Sequence, residues 1–359
     1  MSDITKIDKN FKVETNIQKD DVKFISALEP CFDIYGLMCT NGEFHRMPRN
    51  VAAAANDGVR ALNENTAGGR IRFKTNSQYV IVNSVTSEGQ GKMGHITTLG
   101  SSGFDMYLIE EGKAVYFKSF MQVHNFGSKF EQIVEFPDNE ERDILIHFPL
   151  YNICRNLYIG LQETAEVKPG SKYKYEKPIV YLGSSITQGG CASRPGNTYQ
   201  NHVSRYFDTN FTNLGFSGSC RAEQAICDYI PTLDMSIFVL DYDHNAPTPE
   251  HLENTHEHLF KTFREKQPET PVIIMSMTDI PRTKAARENM EKRRSIIKAR
   301  YDNAIAAGDK NVYYIDGQEI FKIAGYTDCT VDGCHPNDLG FWGMGQAVIK
   351  VIEDNNLLG

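Results

Sequence analysis

Apolar and polar positions follow two rhythms along the chain, and the place where one gives way to the other divides it. Between residues 70 and 148, short apolar or alternating runs recur among clusters of Gly, Asn and Ser: Arg70 to Lys74, Tyr79 to Ser84, Phe104 to Ile109, Ala114 to Phe120, Phe130 to Phe136 and Asp143 to Phe148. Alternation places successive side chains on opposite faces of a strand, and short strands at this spacing predict a β-sandwich or jelly roll. One stretch, Pro48 to Leu62, carries a helical pattern instead.

Glu166 to Pro178 is polar and punctuated by Pro169 and Pro178, which marks it as the expected boundary between a first domain, residues 1–170, and a second, residues 171–359. Beyond it, apolar runs of strand length alternate with helical patterns. The predicted strands are Ile179 to Leu182, Phe211 to Leu214, Ser236 to Asp241, Val272 to Met277 and Val312 to Ile315. Between and after them, Leu252, Thr255, Leu259 and Phe263 share a helix face, as do Met290, Ile297, Tyr301 and Ile305, and Met344, Ala347, Val348 and Val351. Alternation of this kind predicts a parallel sheet covered on both faces, a three-layer α/β/α sandwich of flavodoxin-like type.

Composition narrows the function. A net charge of −8 over 359 residues argues against tracking a nucleic-acid backbone, which needs clustered Lys and Arg. Met1 to Asn10 lacks the basic and apolar segments of a secretory signal, and no apolar run approaches the length of a membrane span. A cytoplasmic protein without nucleic-acid or membrane partners is the expectation. The eight cysteines form no Cys-x-x-Cys pair, so they read as reduced thiols. Cys191, Cys220 and Cys334 fall close to the motifs below and read as packing residues beneath loops, against the alternatives of a redox-sensitive rim or a cysteine nucleophile.

Two short motifs carry candidate chemistry. Gly183-Ser184-Ser185-Ile186-Thr187 follows the apolar run Pro178 to Leu182, and far downstream the chain reads Asp332-Gly333-Cys334-His335-Pro336. A serine hydroxyl attacks an acyl group at neutral pH only if an imidazole takes its proton and a carboxylate orients that imidazole. Ser185, His335 and Asp332 supply all three. A strand running into a small-residue turn puts the serine at the carboxyl edge of the sheet, and the three-residue spacing lets one tight turn present Asp332 and His335 on the same side. Taken singly, each piece also reads as ordinary capping or turn chemistry.

Two more pieces lie between them, each after a predicted strand: Asn213-Leu214-Gly215-Phe216-Ser217-Gly218 and Asp241-Tyr242-Asp243-His244-Asn245. With these, the chain resembles the SGNH (GDSL-type) hydrolase superfamily, whose blocks contribute Ser, Gly, Asn and His in that order. The resemblance implies the α/β/α fold, Ser185 as nucleophile, His335 as base with Asp332 beside it, and an oxyanion hole of the Ser185 N–H, Gly218 and Asn245, with a helix opening at Ser185 to assist. Ser184 stands where the family often has Asp, and the third block departs from the usual Gly-x-Asn-Asp.

In the first half, Phe44-His45-Arg46-Met47-Pro48, Thr66-Ala67-Gly68-Gly69-Arg70-Ile71-Arg72-Phe73 and Gly103-Phe104-Asp105-Met106-Tyr107 resemble the GxDLY-like domain that precedes some bacterial SGNH esterases. Together the resemblances imply a two-domain serine esterase that needs no cofactor and acts on short acyl esters, acetyl first, of carbohydrates or other small molecules. Tyr107 is expected to form one wall of the site. A lipase or thioesterase for longer chains, and a non-catalytic glycan-binding protein, remain as alternatives. Three other constellations carry less: His251, His256 and His258 read as a solvated helix face, Arg282 to Arg300 as a surface helix, and Asp241 with Asp243 lacks further ligands for a cation.

Overall fold

The computed structural model describes residues 13–87, 93–121, 127–324 and 327–359, so the polar start Met1 to Asn10 lies outside the described residues. Its first half is an antiparallel β-sandwich. One sheet runs β3 (Met38–Thr40), β4 (Glu43–His45), β11 (Arg155–Gln162), β6 (Tyr79–Val85), β9 (Lys129–Glu135), with β1 (Val22–Ser26) also on β11. The other runs β12 (Val167–Pro169), β5 (Arg70–Thr75), β10 (Arg142–His147), β7 (Phe104–Glu110), β8 (Lys113–Phe120), with β2 (Asp33–Tyr35) also on β5. Alternate residues from both sheets, among them Ile71, Phe73, Val80, Val82, Phe104, Phe130 and Ile146, meet in one buried core. The six strands predicted here form within a residue or so of their expected ends.

The second half is built on a five-stranded parallel sheet of order β14 (Thr209–Gly215), β13 (Tyr175–Gly183), β15 (Ile237–Asp241), β16 (Val272–Met275), β17 (Val312–Ile315). This is the flavodoxin-like order, with the first strand second from the edge. Helices Gln224–Tyr229, Pro249–Lys266 and Lys284–Ala306 cover one face. Helices Tyr199–Phe207 and Asp338–Asp354 cover the other. The stretch Glu166 to Pro178 is more ordered than a linker, since β12 and the start of β13 occupy parts of it.

One local departure has a plain cause. The helix predicted from Pro48 to Leu62 is two helices, Arg49–Ala55 and Asp57–Leu62, because Asn56 is extended and its side chain caps the second by accepting from Val59 N–H at 2.8 Å. Both helices leave the sandwich and pack on the second half of the chain, and with the preceding Met47 they bury Ala52 and Val59 in the core that holds Leu214, Phe216 and Ile226.

Buried charge closes the joint between the halves. Arg46 donates to Gly215 O and Leu62 O, with its guanidinium 4.2 Å from the centre of the Phe216 ring. Arg70, fully buried, reaches Asn210 Oδ1 at 2.6 Å and Phe211 O at 2.8 Å and lies over the Phe211 ring. Asp105, also fully buried, accepts from His147 Nδ1 at 2.7 Å, Arg194 Nη1 at 2.8 Å and Gly196 N–H at 2.8 Å. Removing one partner of such a group strands the others. Asp105→Ala is therefore expected to cost about 3 to 5 kcal/mol in denaturant unfolding; a loss below about 1 kcal/mol, the range of a surface pair, would mean that Asp105 does not hold the joint.

Candidate active site

Ser185 opens the short helix Ser185–Gln188 directly after β13. Ser184 is its N-cap, the hydroxyl accepting from Ile186 N–H at 3.1 Å, which gives a local role to the residue that replaces the resemblance's aspartate. The first N–H groups of a helix have no partner within it, so the helix itself makes no use of the Ser185 N–H. With four residues, the helix contributes that single turn and little further macrodipole, less than the assisting helix expected from the sequence.

His335 reaches Ser185 from a closed hairpin. Its Nε2 lies 2.9 Å from Ser185 Oγ, and its Nδ1 lies 2.8 Å from Asp332 Oδ2. Asp332 Oδ1 accepts from the N–H groups of Cys334 and His335 at 3.0 and 2.8 Å, a turn that doubles back at Gly333, where φ is +95° and a side chain would be strained. Val331 N–H to His335 O and Asn337 N–H to Cys329 O, each 2.9 Å, shut the hairpin. Burial opposes charge on Asp332, but the hydrogen bonds from the His335 ring and from the two N–H groups prevail and hold its carboxyl at about 2. The ionised carboxylate keeps a proton on Nδ1 and leaves the Nε2 lone pair for the Ser185 hydroxyl.

Gly218 and Asn245 come to this edge by strand register. Gly183 pairs with Gly215 on β14 and with Asp241 on β15, so the turns carrying Ser185, Gly218 and Asn245 leave the sheet at one level. They are tied to each other. Asn245 Nδ2 donates to Phe216 O at 2.8 Å, which leaves the amide's second hydrogen. Gln188 Oε1 accepts from Ser217 N–H at 3.0 Å, while its Nε2 reaches Asn65 Oδ1 and Leu150 O in the first half of the chain. The approach is close enough that a Cβ on Gly215 would sit 2.2 Å from Gln188 N.

Several residues the sequence did not single out hold this arrangement. Tyr151 donates from its hydroxyl to Ser185 O at 3.0 Å. Arg293 donates to Asp243 O and Oδ1 and to Ala246 O, bracketing Asn245. Its position in step with Met290 and Ile297 is the signal that could have revealed it, and it makes the stretch read as a surface helix partly buried. His244 Nε2 lies 2.8 Å from Asp279 Oδ1, and the Cys334 thiol lies beside them, the three ligand atoms within 4.8 Å of one another. The block that carries Asn245 and the loop that carries His335 thus meet at one carboxylate.

Two other expectations, at Tyr107 and His256, are corrected. Tyr107 is 2% exposed and walls no open site. Its hydroxyl accepts from Arg194 Nη1 and its ring packs edge-on against His147, within the joint between the halves. His256 is not on a solvated face: it is buried and stacked on Tyr242, while His251 and His258 lie outside and bond to Arg221 O and Gln224. Asp241 accepts from Thr187 and Tyr199 and Asp243 from Arg293 and Met277 N–H, so both carboxylates are engaged in the fold. Cys220 is fully buried in the core. Burial pushes the Cys191 thiol up to about 12, far from a neutral-pH nucleophile. A cavity of about 670 Å³ opens elsewhere, between the helices that carry Phe260, Arg264 and Arg300.

Residues 176–353 match the model of the GDSL-like lipase/acylhydrolase family. Residues 22–167 match that of the N-terminus of SGNH-hydrolase-type esterases. No curated protein matches the chain. Among solved structures it is similar to a protein described as a GDSL-like lipase from Bacteroides ovatus, with 28% identity, 94% of this chain and 98% of that one covered, and a TM-score of 0.85. A salicylyl-acyltransferase from a tetracycline biosynthetic pathway shares the fold at 16% identity, with 95% and 99% covered and a TM-score of 0.78. A family two carbohydrate esterase from Cellvibrio japonicus shares it at 14% identity, with 94% and 99% covered and a TM-score of 0.58.

The His244–Asp279 pair sets a pH dependence. Burial disfavours a charged ring, but Asp279, with Asp243 and Asp241 nearby, outweighs it and raises His244 from its ordinary 6.5 to about 9. A group with a raised folded-state pKa gives its full stability below the unfolded value and loses it as pH climbs through the folded one. Unfolding free energy is expected to fall between about pH 6.5 and 9 by on the order of 3 kcal/mol through this group, and His244→Gln to flatten that slope. Parallel slopes in the two proteins would mean that His244 is neutral when folded.

Proposed function

The chain belongs to the GDSL-like lipase/acylhydrolase family of SGNH esterases, and from that premise we propose that Ser185, His335 and Asp332 are its catalytic triad and that it removes short acyl groups, acetyl first, from carbohydrate hydroxyls. The observation that carries the triad is the unbroken relay of hydrogen bonds from Ser185 Oγ through both nitrogens of His335 to Asp332. His335 Nε2 takes the hydroxyl proton as Oγ attacks the ester carbonyl. The oxyanion rests on the N–H groups of Ser185 and Gly218 and the free amide hydrogen of Asn245. His335 then gives the proton to the departing alkoxide, which leaves an acyl-serine. Water, deprotonated by the same nitrogen, releases the acid.

The carbohydrate reading is supported by the fold shared with a family two carbohydrate esterase, and it is an analogy of scaffold. The triad reading is supported by geometry independent of that analogy.

Hydrolysis of p-nitrophenyl acetate by the intact protein, and its abolition in a folded Ser185→Ala variant, is the expected result; equal rates in the two would place the nucleophile elsewhere. Asn245→Ala should lower turnover about a hundredfold or more through the oxyanion. It should cost only about 1 kcal/mol of stability through the lost bond to Phe216. Near-normal turnover would remove Asn245 from the site. Across p-nitrophenyl esters of increasing chain length, kcat/KM is expected to fall beyond the shortest acids, whereas a rise with length would favour a lipase or thioesterase.

A further inference from the structure

His95, Cys191 and His335 place one ligand atom each within 4.8 Å of one another. His95 is exposed, in the loop before the helix Thr98–Ser102, with its ring centre 5.4 Å from that of His335 and tilted by 48°. Cys191 is buried, at the end of the turn that begins with Ser185. Two imidazoles and a thiol from three separate segments converge at the His335 ring.

We propose that these three residues form a binding site for a borderline-soft divalent cation, Zn²⁺ above all, whose occupancy inhibits the enzyme by taking His335 away from Ser185. In a tetrahedral zinc site with bonds of about 2.0 to 2.3 Å, the ligand atoms stand about 3.5 Å apart. The site closes by a contraction of roughly 1 Å, which the exposed His95 loop supplies. Three protein ligands leave the fourth position to water.

The second observation is the orientation of His335. A metal-ligating imidazole almost always donates its other N–H to a carboxylate or carbonyl, which fixes its tautomer and raises its basicity. Asp332 Oδ2, 2.8 Å from Nδ1, is such a partner already in place. With Nδ1 engaged, the cation binds Nε2, where Ser185 Oγ now sits at 2.9 Å. Zinc and the serine compete for the same lone pair, and the Cys191 proton passes to solvent as the thiolate binds. A thiolate with two imidazoles selects Zn²⁺ over Mg²⁺ and Ca²⁺, which prefer oxygen. The neighbouring group of His244, Asp279 and Cys334 is also compact, but there His244 Nε2 is already engaged by Asp279 at 2.8 Å.

The metal's binding rests on these three side chains alone; only its inhibitory effect rests on the reading of His335 as base. Co²⁺, titrated into the full-length protein, is expected to give tetrahedral d–d bands and a thiolate charge-transfer band at one equivalent. Zn²⁺ should displace it and inhibit p-nitrophenyl acetate hydrolysis reversibly, with EDTA restoring the rate. His95→Ala and Cys191→Ser should keep their metal-free activity while losing affinity for either metal by about tenfold to a hundredfold. Ser185→Ala, inactive, should still show the cobalt spectrum. No thiolate band in the wild type, equal zinc inhibition in all variants, or loss of binding in Cys334→Ser instead of Cys191→Ser would overturn the proposal. A cobalt spectrum in a protein that hydrolyses no ester would leave the metal site standing and sink the esterase reading.

Discussion

β13, β14 and β15 run parallel and stop level, with Gly183 opposite Gly215 on one side and Asp241 on the other, and the site depends on that shared edge. Each strand delivers one turn to the same place, so Ser185, Gly218 and Asn245 assemble without any of the three lying on a long loop. Hydrogen bonds between the turns then remove the remaining freedom: Asn245 to Phe216, Gln188 to Ser217, Thr187 to Asp241. Groups supported in this way are preorganised, the condition from which an active site derives much of its rate. Only His335 comes from outside the edge, and its hairpin is shut by two backbone hydrogen bonds and oriented by Asp332.

The β-sandwich takes part in this support. Tyr151 holds the carbonyl of Ser185, and Asn65 and Leu150 hold Gln188. The motifs that mark the first half in sequence supply the rivets: Arg46, Arg70 and Arg72 meet carbonyls, aromatic faces and Asp208, and Asp105 gathers His147, Arg194 and Gly196. Buried guanidinium groups are unforgiving of misfit, because a stranded charge costs several kcal/mol where a well-placed one costs little. They specify one docking geometry more sharply than an apolar contact of the same size.

What could be read from the sequence follows the range of each interaction. The strand-to-turn passage at Ser185 and the three-residue spacing of Asp332 and His335 are local, and both were legible. The parallel sheet was legible from its alternation with helices. Tyr107, Arg293 and Asp105 act through hydrogen-bond partners 42 or more residues away, and nothing near them in the chain announces those partners; hence Tyr107 reads as a wall of the site when it is a piece of the joint. β11 was missed although it lies in the middle of its sheet, between β6 on one side and β1 and β4 on the other. Its inward residues Leu157, Ile159 and Leu161 do alternate, but Gly160 between them weakens the strand signal, and there a Cβ would strike Ile81 and Phe24 at 2.9 Å, so the residue that disguises the strand is also the one that lets its neighbours close over it.

The two helices at Arg49–Ala55 and Asp57–Leu62 bear on how the chain is made. With the preceding Met47 they bury Ala52 and Val59 against residues that follow by some 150 positions, Leu214, Phe216 and Ile226 among them. Synthesis proceeds from the amino terminus, and the sandwich strands, whose pairings lie within the first 170 residues, are complete before those partners exist. For that interval the nascent chain carries an apolar helical flap whose partners have not been made, and the flap seats only when β14 and the helix after it have emerged.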